Sequence, residues 1–171
     1  MATTMKLIGK QTLSTTAASV DFNSIPGTFT DLMLVASARH DVAFLDCYLR
    51  INNDSGTNYS YRRLTANGAT AASASASSQT WLSLFPLINA SGYTANTFSS
   101  LEVYIPNYAG STNKSVSATG VTETNATTSY IGAIAGLWSQ TSAITRLTFY
   151  PDSGANLVSG SSFFLYGITK A

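Results

Sequence analysis

The chain has 171 residues and a net charge of +1, and only 10% of its residues are charged, against about 25% in ordinary domains. So few basic groups exclude a surface that neutralises phosphates, and hence nucleic-acid binding. With 44% hydrophobic residues the chain is not disordered, yet no window approaches the ~20 apolar residues of a membrane-spanning helix, so no membrane partner is expected.

The length fits a single domain over residues 1–171. Cys47 is the only cysteine, so no disulfide framework exists within the chain and stability rests on packing or assembly. The first seven residues contain no apolar run of signal-peptide length.

After a short arm of about residues 1–5, residues 5–13 read as a first strand carrying Leu7, Ile8 and Leu13. Residues 18–22 alternate, with Val20 and Phe22 facing inward. Ser24-Ile25-Pro26-Gly27 is a turn, because Pro fixes φ and Gly tolerates positive φ. Residues 31–39 are nearly continuously apolar from Leu32 to Val35, the pattern of a strand buried on both faces. In residues 45–52, Leu45, Cys47, Leu49 and Ile51 share one face and Asp46, Tyr48 and Arg50 the other. The turn cluster Asn53-Asp54-Ser55-Gly56 then predicts a hairpin with residues 58–64.

Residues 68–79 are almost wholly Ala, Ser and Thr and cannot bury enough apolar area to hold themselves, so they predict a flexible loop. Residues 81–88 read as a strand with Pro86 near its end, followed by a loop around Gly92. Leu101, Val103 and Ile105 alternate with Glu102 and Tyr104, and Pro106 stops that strand. A polar loop with Tyr108 and Gly110 leads to a second strand over residues 114–121. Residues 129–138 favour strand over helix, because Gly132 and Gly136 weaken a helix. Residues 143–150 alternate with Ile144, Leu147 and Phe149 inward, and residues 162–169 form the last strand. About ten strands at roughly 8–12-residue spacing predict an all-β fold, an antiparallel two-sheet β-sandwich of jelly-roll type.

The chemistry-bearing residues do not form a catalytic set. His40 and Asp41 are adjacent in sequence, and no Gly-x-Ser-x-Gly elbow accompanies them. Residues 52–58 lack the carboxylates and closing Glu of a calcium loop. With one histidine and one cysteine there is no zinc-type cluster. No enzyme activity, metal or cofactor is therefore expected. Arg62 and Arg63, interleaved with Tyr59 and Tyr61, read as cross-strand partners of Asp46 or Glu102. Tyr93, Tyr108 and Trp138 fall at or near predicted loops, where an aromatic either anchors a protein contact or stacks on a sugar ring, or else folds back over a sheet edge. Asn107, Tyr108, Trp138, Tyr93, Arg62 and Arg63 are thus the candidate contact residues.

Several segments resemble a family of small virion structural proteins of tailed bacteriophages that infect aquatic bacteria and cyanobacteria. They are Asn58-Tyr59-Ser60-Tyr61 with Arg63-Leu64 and Asn67-Gly68; Ile105-Pro106-Asn107-Tyr108-Ala109-Gly110-Ser111; Gly136-Leu137-Trp138; and Leu165-Tyr166-Gly167-Ile168. Ser24-Ile25-Pro26 and Phe29-Thr30-Asp31-Leu32 fit as well, whereas residues 81–93 find no counterpart and Thr169 stands where the family places a basic residue. The resemblance implies a particle component rather than an enzyme. It implies a capsid decoration (cement) protein on the external surface of the virion. Such a protein contacts the major capsid protein and assembles with itself as a symmetric oligomer, a trimer favoured. The alternative is a tail-fibre or adsorption module contacting tail proteins or a host surface glycan. The absence of a shaft region before the β domain favours the first.

Overall fold

The computed structural model describes residues 4–43, 46–125 and 129–169. Among these there is no helix, and twelve strands form two antiparallel sheets, as the alternation predicts. They are β1 (Met5–Thr12), β2 (Val20–Phe22), β3 (Asp31–Ser37), β4 (Cys47–Ile51), β5 (Tyr59–Ala66), β6 (Ala71–Gln79), β7 (Leu82–Ser83), β8 (Ser100–Ile105), β9 (Lys114–Val121), β10 (Ile131–Trp138), β11 (Leu147–Pro151) and β12 (Ser162–Ile168).

The pairings are nested. β1 pairs β12, β2 pairs β11, β3 pairs β8 and β4 pairs β7. Folding such a nested ribbon over itself puts β1-β12-β3-β8 in one sheet and β2-β11-β4-β7 in the other, as observed. This is the eight-strand jelly roll. Two hairpins interrupt it, β5–β6 between β4 and β7 and β9–β10 between β8 and β11. Both extend the first sheet, which becomes eight-stranded in the order β1-β12-β3-β8-β9-β10-β5-β6. The second sheet keeps four strands, so the larger sheet overhangs it.

The core lies between the sheets. Leu101, Val103 and Ile105 of β8 and Val116 and Ala118 of β9 point inward, as do Leu49 and Ile51 of β4 and Phe149 of β11. On β8 and β9 their neighbours along each strand are exposed, and this period of two is what sequence alternation records; on β4 and β11 the alternate residues are half-buried or, at Tyr48, buried. β3 departs from its expected double burial. Leu32, Leu34 and Ala36 are buried while Met33 and Val35 are only half-buried, because no layer covers that face. Under the overhang, Leu82 and Leu87 fill the space. A Cβ on Gly136 would stand 2.5 Å from Leu82 Cδ1, and one on Gly132 2.9 Å from Leu87 Cδ2, so these two glycines admit the leucines.

Three sequence expectations are corrected here. The 45–52/58–64 hairpin does not form: β4 and β5 lie in different sheets, and β5 pairs β6 and β10 instead. Asn52 and Asn53 both take left-handed backbone, φ 52° and 56°, and turn the chain out of the small sheet. Leu45 itself lies outside the described residues. Residues 68–79, expected as a loop, hold the nine-residue strand β6, since β5 supplies the ladder that their side chains cannot replace. The expected strand over residues 81–88 shrinks to Leu82–Ser83, and Leu84, Leu87 and Ile88 plug the core from irregular backbone.

Candidate functional site

The outer face of the overhanging sheet is uncovered, and its surface follows from strand parity. On β9 the outward residues are Ser115, Ser117, Thr119 and Val121; on β10 they are Ile131, Ala133 and Ala135. Register aligns them into rows. Leu64, Ala133, Thr119 and Glu102 stand side by side, and so do Arg62, Ala135, Ser117 and Tyr104. A third row runs Ala66, Ile131, Val121 and Ser100. Small residues at the centre and larger ones at the rim leave a shallow trough of about 500 Å³, lined by Leu64, Ile131, Val121, Thr119, Ala133 and Glu102 among others. Leu64 and Ile131 are each 61% exposed. Arg62 and Glu102 are the charged groups in these three rows, so covering the face removes few ions from water.

The six candidate contact residues do not converge. Arg62 lies on the outer face, opposite Ala135 and Ser75. Arg63 points the other way, its guanidinium 4.8 Å from the Phe85 ring centre and 5.9 Å from that of Tyr61. Neither makes the ion pair expected with Asp46 or Glu102; the salt bridge among the described residues joins Arg146 to Asp21 at 2.7 Å. Arg63 acts on Asp46 only through its field. Burial dominates there and pushes the Asp46 carboxyl up to about 6, against hydrogen bonds from Ser83 and the Cys47 backbone and the pull of Arg63.

Tyr108 is not a loop-tip anchor. It is fully buried, its hydroxyl donates to the Pro26 carbonyl, and the Phe29 N–H donates to that hydroxyl at 3.4 Å. Burial raises the phenol's pKa. Its neighbour Asn107 is exposed at φ 49°, and its N–H donates to Asp31 Oδ1 at 2.9 Å. That polar turn hides an aromatic which locks the 26–29 segment to the sheet. Trp138 is likewise buried, and its indole N–H donates to Asp54 Oδ2 at 2.7 Å. Tyr93 is half-buried on a loop clamped by Arg39, which donates to the carbonyls of Ser91, Tyr93, Thr94 and Thr97.

The sequence pattern gave no warning of the Asp54 hub. Its carboxylate accepts from Trp138, from Asn58 Nδ2 at 2.9 Å and, through Oδ1, from the Gly56 N–H at 2.8 Å. Tyr59 adds a hydroxyl that accepts from the Ile51 N–H and shares its one proton between the carbonyls of Ile51 and Asp54, each at 3.2 Å. Burial pushes the Asp54 carboxyl up, but the bonds from Trp138, Asn58 and Gly56 prevail and hold it below its usual range. Lys114 is another buried charge, its ammonium donating to the carbonyls of Gly110, Thr112 and Thr141, and burial lowers its pKa. Both serve the fold. His40 is also buried, and the Asp41 carboxylate is taken up by the backbone and side-chain N–H groups of Asn156. Among the described residues no group of three or more His, Cys, Asp or Glu gathers as metal ligands.

Compared with known proteins, the chain matches no family model and no curated protein.

Proposed function

We propose that this protein is a structural component of a tailed-bacteriophage virion. In this reading it is a decoration protein seated on the outside of the capsid, clamping neighbouring major capsid subunits. The observation that carries the reading is the uncovered outer face of the large sheet, nearly uncharged and bearing Leu64 and Ile131 at 61% exposure each. Fully burying one such aliphatic side chain contributes about 1.5–3 kcal/mol, and few charges have to be desolvated with it. The likeness of the Ile105 to Ser111 segment and its companions to phage virion proteins supplies the class of partner. A protein that binds only the assembled shell stabilises that shell by mass action. The tail-adsorption reading relied on Tyr93, Tyr108 and Trp138 standing exposed together, and two of these are buried.

The test is co-sedimentation with purified capsids that lack the protein, using the wild type and a Leu64→Lys, Ile131→Lys double variant. The wild type pellets with the shells and raises their melting temperature. The variant keeps its own melting temperature, because both positions are exposed, but stays in the supernatant. A wild type that binds no shell, or an image of the particle with this density on the tail, overturns the reading.

A further inference from the structure

The two sheets end in four edge strands, and three of them are blunted. β2 has three residues and β7 has two. β1 carries Lys6 and Lys10 and breaks register between Leu7 and Gly9. Short strands, lysines and bulges are the devices that stop an edge from recruiting another strand. The fourth edge, β6, is nine residues long with neither charge nor proline. Its irregularity sits near the C-terminal end, where the pairing with β5 shifts and Ser78 takes φ 55°. Ala71 to Ala76 remain in regular register with β5.

β6 also lacks cover. It extends past the four-stranded sheet, and most of its residues are exposed. Ordering a strand costs backbone conformational entropy at every residue, and Ala and Ser side chains return little by burial. One ladder to β5 offsets that cost only in part, and on its other side the strand presents free backbone donors and acceptors.

We propose that β6 pairs antiparallel with β6 of a second copy across a two-fold axis, joining two large sheets into one continuous sheet. Parity makes the strand complementary to itself. When the outer faces of both copies lie on the same side, odd-numbered residues must oppose odd and even oppose even. Centred on Ala74, this sets Ser73 opposite the partner subunit's Ser75 and Ala72 opposite the partner subunit's Ala76. Serine meets serine on the outer face, alanine meets alanine on the inner, and no charge meets its like. Such an isologous contact closes at two copies, so the threefold assembly implied by family resemblance needs a different surface. The contact also puts both Leu64–Ile131 corners on one side of the joined sheet, doubling the face available for docking. It is read on purified protein and does not depend on the capsid assignment.

Sedimentation equilibrium of the full chain tests the pairing with two charged variants, Ser73→Lys with Ser75→Lys and Ser73→Glu with Ser75→Glu. Both positions are exposed, so both variants fold. The wild type is a dimer, and each variant shows a roughly tenfold or greater rise in dissociation constant from like charges facing across the axis. Mixing the Lys and Glu variants restores dimers. Amide exchange within residues 71–77 slows as wild-type concentration rises. A wild type that stays monomeric, a dimer indifferent to both variants, or a mixture that fails to recover overturns the proposal.

Discussion

Removing the Asp54 carboxylate tests how the two sheets are held at their corner. In Asp54→Ala the buried Trp138 indole N–H loses its acceptor, which stood at 2.7 Å, and Asn58 Nδ2 and the Gly56 N–H lose theirs. Leaving one buried donor unpaired costs about 1–3 kcal/mol, and bonds to a charged acceptor lie at the upper end. The Gly56 N–H is exposed to water and adds little. The expected loss is about 2–4 kcal/mol, or roughly 5–15 °C in melting temperature for a domain of this length. Urea unfolding of Asp54→Ala, Trp138→Phe and the double variant measures it and isolates the Asp54–Trp138 contact as a coupling of about 1–2 kcal/mol. The pH dependence carries the same signature. The folded carboxyl titrates below 3.8, so its contribution is present above that value and is lost as pH falls through the folded pKa. Asp54→Ala therefore shows a shallower acid-induced loss than the wild type. A coupling near zero, or an unaltered acid limb, would refute the idea that this carboxylate joins the sheets.

Asp46 has the opposite sign. The unfolded carboxyl releases its proton near 3.8 while the folded one holds it to about 6, so the folded state binds more protons in that window and stability falls as pH rises through it. Asp46→Asn flattens this limb and stabilises the protein at neutral pH by up to about 3 kcal/mol, as comparison of urea midpoints at pH 4 and pH 7 will read. Tyr108→Ala lowers stability by about 3–5 kcal/mol through the cavity it leaves, and thermal melting of the isolated protein detects this without any partner; an unchanged melting temperature would return Tyr108 to the surface.

Much of the fold is legible in the sequence because a strand with one dry face writes its burial into every second residue. Leu101, Val103 and Ile105 announce β8 in this way, and Leu49 and Ile51 announce β4. β6 escapes the alternation because its residues are mostly exposed, so no pattern records the ladder that β5 provides. Two of the contact candidates, Tyr108 and Trp138, turn out buried for a related reason. Exposure of an aromatic is not written in its neighbours: Tyr108 follows a polar turn, yet the 26–29 segment covers it. The Leu64–Ile131 surface was missed because an outward-facing Leu or Ile looks like any core residue until the covering layer is known.

By itself the sequence determined the strand class, the scarcity of charge and most of the inward-facing positions. These are properties of short windows, fixed by backbone pleat and side-chain hydrophobicity. Only the tertiary structure decided which strands are neighbours. It sent β4 and β5 into different sheets, nested β1 with β12, and left one long edge and one apolar face uncovered. Such choices depend on contacts between residues far apart in the chain, and a local period of two is the same whichever strand lies alongside.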